Sequence, residues 1–433
     1  DLTHTFPQRY KRGPEYLERL ATLEKAIQAA SGGTDIEAVG RAGQELLDLR
    51  VEALLTANPL IDFDKVLLIK RGANNLGLPA NWVTNASIGK TGYDNEICIL
   101  SPVTPNGELT TFHKPDKGAF VGDVDLHWDG DRMLFSSIGS NDRWQVFEMG
   151  IDPATGQGAG APQQVTPGVE TDVDNFDPCY LPDGRVIFSS TRAFHGVPCV
   201  GGSAPVANLV LLERETGVER QLCFDQDQNW CPTVLNNGRV LYTRWEYSDT
   251  PHYFTRLLFH MNPDGSGQME YAFSNSYWPN STFYARPVPN HPTKVVAVIS
   301  GHHGVPRMGE LIVYDPGKGR HEGQGTVQRI PGYGKPVEPR IADGLVNGSW
   351  PRFLHPYPLS DKYFLVSCQP NSQSNWGLYL VDVFDNMLKI LDVPGYAIME
   401  PVPLRRTQAP PVIPDRIDTS QTTAVLHLQD VYA

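Results

Sequence analysis

The stretch FDPCYLPDGRVIFSSTR, Phe176 to Arg192, decides the fold. A short strand runs into a Pro-Asp-Gly cluster that reverses the chain, and a second, apolar strand follows. NWCPTVLNNGRVLYTRW, Asn229 to Trp245, repeats that plan, and looser copies begin at Val124, Phe283 and Trp350. A spacing of roughly 50 residues marks a repeat architecture. A third strand follows each copy (RWQVFEM, ANLVLLE, TRLLFHM, GELIVYD, WGLYLVD), and a fourth is clear in ERQLCF, Glu219 to Phe224, and NMLKIL, Asn386 to Leu391. Four antiparallel strands per unit make the blade of a β-propeller.

The first unit lacks its opening strand. FDKVLLIKR, NEICILSP and ELTTFHK supply a second, third and fourth strand, while AIMEPVPLRR, Ala397 to Arg406, carries the opening pattern at the other end. The expected fold is therefore all-β: a six-bladed propeller over residues 62–406, closed by a C-terminal strand that leaves no open sheet edge. A helical arm over 1–61 precedes it, and a C-terminal extension over 407–433 follows. Two helices are expected within 14–57. Leu17, Leu20, Leu23 and Ile27 share one face of the first; Ile36, Val39, Leu46, Leu47, Leu49, Leu54 and Leu55 populate the second. Thr34 is the expected cap, Asn58-Pro59 the stop, and the arm is expected to pack on the propeller.

Composition excludes several roles. With 36 Lys and Arg against 49 Asp and Glu, the net charge is −13, which disfavours nucleic acid and anionic membranes as partners. No apolar run reaches the roughly 18 residues of a transmembrane helix. The six cysteines form neither a CxxCH haem site nor paired CxxC motifs. Among Cys179, Cys199, Cys223 and Cys231, a disulfide and buried free thiols both stay open. The chain starts at Asp1 without Met, and a removed leader with periplasmic or secreted location is expected.

In a propeller, the starts of first strands and the ends of second strands converge around one mouth of the channel. Those positions are Asp123, Asp125, Asp177, Cys231, Tyr284, His355 and Glu400, with Arg71, Arg192, Arg244, Trp245, His302, His303 and Gln369. The connections Ala73 to Asn95 and Ala193 to Ala207 are the longest on that face, where binding sites concentrate. Arg71, Asp125, Asp177, Arg192, Arg244, Trp245 and Glu400 are the expected ligand-binding residues. His302, His303 and His355 are the expected ligands of a divalent metal. Adjacent histidines on a strand point to opposite sides, so one of the pair would face the channel. The plain alternative is that an Asp before Pro caps its own turn. Tyr277, Trp278, Phe283 and Tyr284 either stack a sugar or pack between blades.

The stretch from Asp62 to Asp430 resembles the central propeller of the hydrazine synthase alpha subunit and, through Asp-Pro-x-x-x-Pro-Asp-Gly-Arg, Tol-type six-bladed propellers. KTGYDNEICILSP, FVGDVDLHWDGDRMLFS, DQNWCPTVLNNGRVLYTRWEY, GHHGVPRMGEL and HPYPLSDKYFLV carry the resemblance. It implies a ligand- or partner-binding scaffold module of a larger assembly, with a partner subunit or further domain beyond LHLQDVYA. Its redox chemistry requires haem on CxxCH, so covalent haem is not expected in this chain. The alternative function is an acidic-polysaccharide lyase acting by β-elimination. There Arg244 or Arg192 would neutralise the uronate carboxylate, and His302, His303 or Tyr284 would remove the proton.

Overall fold

The computed structural model describes residues 1–31, 36–152, 155–245, 247, 256–274, 276–423 and 425. Six four-stranded antiparallel blades follow one another. The first holds β1 (Val66–Gly72), β2 (Asn95–Ser101) and β3 (Glu108–His113), completed on its inner side by β24 (Tyr396–Pro403). The second is β4 (Val121–Leu126), β5 (Arg132–Ile138), β6 (Trp144–Ile151) and β7 (Gly158–Gln164); the third is β8 (Asn175–Tyr180), β9 (Val186–Ser190), β10 (Asn208–Glu213) and β11 (Val218–Gln221). The fourth, β12 (Asn229–Val234), β13 (Val240–Trp245), β14 (Arg256–Met261) and β15 (Met269–Ala272), meets the fifth through one parallel pair, Arg256 with Ser281. The fifth is β16 (Ser281–Pro287), β17 (Val295–Ser300), β18 (Glu310–Tyr314) and β19 (Thr326–Ile330); the sixth is β20 (Arg352–Pro358), β21 (Tyr363–Gln369), β22 (Gly377–Asp382) and β23 (Met387–Leu391).

Both faces of each blade are buried, which is why the second and third strands read as continuous apolar runs. Side chains alternate between two neighbouring cores. Val295, Ala297 and Ile299 of β17 pack towards the fourth blade, while Val296 and Val298 pack towards the sixth. In β1, Leu67 and Ile69 join the second blade's core, and Val66 and Leu68 face the sixth.

Closure is as expected from AIMEPVPLRR. Strand β24 runs antiparallel to β1, pairing Val66 with Pro403, Leu67 with Val402, and Gly72 with Tyr396. The arm comprises α1 (Leu2–Thr5), which sequence reading missed, α2 (Gly13–Ser31) and α3 (Ile36–Val51), the last continuing into a π-helical turn, Glu52–Thr56. Thr34 lies outside the described residues. Leu2, Tyr10, Tyr16, Leu49 and Leu55 wedge the base of the arm between blades six and one, against Leu365, Leu378 and Leu388 on one side and Val66, Leu68 and Leu100 on the other. Farther out the helices stand clear. Leu17, Leu20, Ile36, Val39 and Leu47, read from periodicity as packed, are exposed.

Removing β24 should unfold the ring. Ile398, Met399 and Val402 are buried, and at about 1.5–3 kcal/mol each their loss approaches the whole stability of a typical domain. A chain ending at Tyr396 should lack a cooperative melt by calorimetry; an unchanged melting temperature would refute the closure.

Candidate functional site

Every innermost strand breaks register once, and at each break one residue takes a left-handed backbone. These are Asp123 (φ 56°), Asp177 (56°), Cys231 (52°), Tyr284 (54°), His355 (48°) and Glu400 (52°). Such a conformation costs a non-glycine residue about 1–2 kcal/mol. Four of the six are followed by proline, at 178, 232, 356 and 401. Proline is tolerated inside a sheet at a bulge, where the ladder bond is already missing. One residue per blade thus forms a ring around the central channel. Two residues further on, a second ring is made by Asp125, Cys179, Thr233, Arg286, Tyr357 and Val402.

The first ring stitches the blades together. Val124 N–H donates to Glu400 Oε2 at 2.8 Å, and Cys231 N–H to Asp177 Oδ2 at 2.6 Å. In the second ring, Tyr180 N–H donates to Asp125 Oδ2 at 2.8 Å. Between Asp123 and Asp177 the link runs through a serine: Asp177 N–H donates to Ser136 Oγ, whose hydroxyl bonds Asp123. The alternative reading, in which Asp177 caps its own turn, is corrected: its carboxylate crosses to the next blade instead of closing on its own backbone. Asp177 and Asp125 each use Oδ2 this way, and neither Oδ1 makes a hydrogen bond among the described residues.

Side chains of both rings line a cavity of about 70 Å3, room for a few waters or one compact molecule. Asp123, Asp125, Asp177 and Glu400 supply its acids, and Arg286 is the cation in its wall. Two further guanidiniums stand behind the wall. Arg71, buried over the Phe120 ring at 4.2 Å, donates to Asn95 and to the carbonyls of Leu76 and Val121. Arg307, over the Phe283 ring at 4.3 Å, donates to the Val83 carbonyl. Burial and the neighbouring Asp123 push Asp177 and Glu400 up to about 7. Burial raises Asp125 to about 6 against the pull of Arg286. Burial, with Arg71 and Arg286, takes His355 down to about 3, so its imidazole is neutral at pH 7.

Of the expected ligand-binding residues, Asp125, Asp177 and Glu400 therefore meet in the channel. The others do not. Arg192 turns outward to Glu219 of its own fourth strand, with Glu170 at 3.6 Å. Arg244 pairs with Asp225 at 2.6 Å over the Phe259 ring. Trp245 is fully buried beside Trp230. Gln369 bonds the Ser374 carbonyl.

The expected metal trio is not assembled. His355 lies in the channel against Tyr284, ring centroids 4.2 Å apart. His302 and His303 lie in a bend beyond β17, not on a strand, and their rings meet edge to face at 4.2 Å instead of pointing apart. Their third neighbour is Asp343, whose Oδ1 is 2.9 Å from His303 Nδ1. His302, His303 and Asp343, and separately His127, Asp129 and Asp131, have ligand atoms close enough to share a metal ion. In both clusters a guanidinium already holds an imidazole nitrogen: Arg256 on His302 and Arg132 on His127. The six cysteines are all free thiols; of the two options left open the free thiol holds, buried at Cys179 and Cys223, partly buried at Cys231 and exposed at Cys199. Phe283 and Trp278 are buried in inter-blade cores.

The two long connections fold over one mouth. Asn81 bonds Ser300 Oγ and the carbonyls of Gly301 and Val305 across the ring in blade five, and Asn85 donates to Asp123 Oδ2 at 2.7 Å. Val197, Ala204 and Val206 pack with Trp230, Trp245 and Phe283, and Trp82 and Val83 close on them.

Raised carboxyls set a pH dependence. A carboxyl whose folded value exceeds its unfolded value contributes stability that is complete below about pH 4 and lost as pH rises through about 7. The contribution of Asp177 and Glu400 to the melting temperature should therefore fall between pH 5 and pH 8. The double variant Asp177→Asn, Glu400→Gln should show a flatter melting profile over that range than the parent; parallel profiles would contradict the assignment.

No protein-family model and no curated protein matches the sequence. Solved structures do. Hydrazine synthase of Kuenenia stuttgartiensis superposes with a TM-score of 0.58 at 16% identity, covering 81% of this chain and 48% of that one. TolB of Acinetobacter baumannii gives 0.49 at 12% identity, over 84% and 72%, and a putative TolB of Agrobacterium tumefaciens gives 0.38 at 16%, over 62% and 90%. This chain spans about half the length of the hydrazine synthase chain. The resemblance read from the repeats is borne out as a resemblance of fold: this chain is a closed propeller similar in architecture to that of hydrazine synthase.

Proposed function

We propose that the chain is a binding module whose central channel seats one compact cation bearing N–H donors. The observation that carries this reading is the balance of charge and hydrogen-bonding groups around the cavity. Four carboxyls face Arg286 in the wall and Arg71 and Arg307 behind it, which leaves one negative charge when all are ionised. The donors of Arg71 and the Arg307 Nη2 point to protein acceptors, so among the guanidiniums only Arg286 presents donors at the cavity wall, against four carboxyls. With Asp177 and Glu400 each raised to about 7, about one proton is held between the two groups at pH 7 and offsets the excess, and a bound monocation would displace it. Among the described residues, the ring carboxylates do not come close enough in threes to share a bare metal ion, which favours a molecular cation. The cavity is too small for a sugar ring, and Arg192 and Arg244 are directed away from it; nothing in the geometry favours the lyase reading.

Similarity to hydrazine synthase supports the wider part of the reading, a scaffold module of a larger exported assembly. Among the described residues, no helix is long and apolar enough to cross a membrane.

Calorimetry with methylguanidinium tests the site. Binding should release close to one proton at pH 7 and strengthen as pH rises from 6 to 8. Asp177→Asn should weaken it at least about tenfold, as expected for a lost charge-assisted bond. Thr233→Trp, which fills the cavity, should abolish it with the fold intact by circular dichroism. Tetramethylammonium, equal in charge but without N–H, should bind more weakly. Binding that survives Thr233→Trp would place the site elsewhere.

A further inference from the structure

The two ends of the channel are built differently. At the end where the first strands begin, the 73–94 connection from blade one is anchored in blade five through Asn81 and Arg307, and it touches the first ring through Asn85. Val197 and Val206 of the 193–207 connection meet Trp82 and Val83 of the 73–94 connection in an apolar layer over that end. At the opposite end, the inner hairpin turns surround the second ring; Asp125, Thr233, Arg286 and Tyr357 are partly exposed there, as are the first-ring residues other than Glu400.

The segment after β24 crosses that second face. Leu404 N–H continues the ladder to the Lys65 carbonyl, and Thr407 N–H donates to the Trp128 carbonyl on the inner hairpin of blade two. The Pro411 carbonyl then lies against Gly238 on the inner hairpin of blade four, so closely that a Cβ there would fall 2.2 Å from it. The chain passes from blade two to blade four along a chord over the rim, through an Ala-Pro-Pro run at 409–411. It is fastened beyond by Asp415, whose two oxygens take Arg185 at 2.8 and 3.0 Å, and by Asp264 Oδ2, which accepts from Arg416 N–H at 2.6 Å. Arg185 is held in turn by Asp183 and Glu213, so the post is rigid and the exposed Asp415 is the releasable half.

We propose that the channel is a blind pocket, closed at the loop face by the described connections and entered from the hairpin face, where the strap formed by residues 404–417 limits access. This rests on the channel being the binding site, and it adds the route and the element that controls it. An ion pair on an exposed strap is worth little to global stability, so breaking it changes the open fraction of the strap and leaves the ring intact. The Asn81 anchor, though buried, governs a face that ligands do not use.

The test is the rate at which 2-aminoethyl methanethiosulfonate modifies a Thr233→Cys probe in a Cys199→Ser background, followed by site-resolved mass spectrometry. Asp415→Lys, which repels Arg185, should raise that rate about threefold to fivefold or more, the size expected from losing a two-pronged exposed pair. Asn81→Ala should leave the rate unchanged even if it lowers the melting temperature. A faster rate in Asn81→Ala, or no acceleration in Asp415→Lys, overturns the proposal, as does a probe that stays unmodified in every variant. If the strap dependence holds while methylguanidinium fails to bind, only the ligand reading falls.

Discussion

The antiparallel ladder between Val66–Gly72 and Tyr396–Pro403 is the constraint from which the rest follows. It joins the first strand of the chain to the last, and it converts a row of sheets into a ring with no free inner edge. Only in a closed ring do the six left-handed positions meet around one axis. The same seam is reinforced from outside, where Leu2, Tyr16, Leu49 and Leu55 fill the gap between blades six and one. Asp1 adds polar contacts there to Lys362 and Tyr363.

Repetition along the inner strands is geometric, while the chemistry at those positions is not repeated. Each blade contributes the same bulge, but the side chains run Asp, Asp, Cys, Tyr, His, Glu. The acids of the first ring occupy three consecutive blades, one (through β24), two and three, so Glu400, Asp123 and Asp177 fall on one side of the axis and Cys231, Tyr284 and His355 on the other. Concentrating carboxyls in a buried setting is unfavourable unless positive charge is near. Arg71 and Arg307 provide it from behind the wall, each held over two aromatic rings. The channel is thus polarised across its width, and its charge is tuned by groups that do not line it.

Much of this was legible locally. A strand, a Pro-Asp-Gly turn and a second strand lie within seventeen consecutive residues at Phe176–Arg192, so the blade could be read from one segment. The inner ring was also legible, because proline follows four of its members and marks the bulge. What escaped reading depends on partners distant in sequence. Nothing near Asn81 signals that it will bond Gly301, and nothing near Leu404 signals a crossing to Gly238. Strand ends converge here without their side chains converging, so position in the blade does not give the directions of Arg192 and Arg244. Glu219 on the outermost strand of blade three and Asp225 in the connection that follows it were the available signal. For His302 and His303 the flanking Gly301 and Gly304 mark a bend, in which the alternation rule of a strand no longer applies. Helical periodicity located α2 and α3, but it could not tell that Leu17 and Ile36 lie beyond the reach of the propeller.

Closure by β24 also orders events during synthesis. The chain emerges from its N-terminus at about 5–20 residues per second, so blade one appears early with β1 as an unpaired edge and stays so until the strand at 396–403 is made. Throughout that interval the arm lacks blade six, the other wall of its socket. Both the innermost sheet position and the outer wedge are completed by the last blade and the strand after it. The molecule therefore cannot settle blade by blade into its final form: early blades wait with an open, pairing-competent edge, and the finishing step joins β1 to a strand made only after all the other blades.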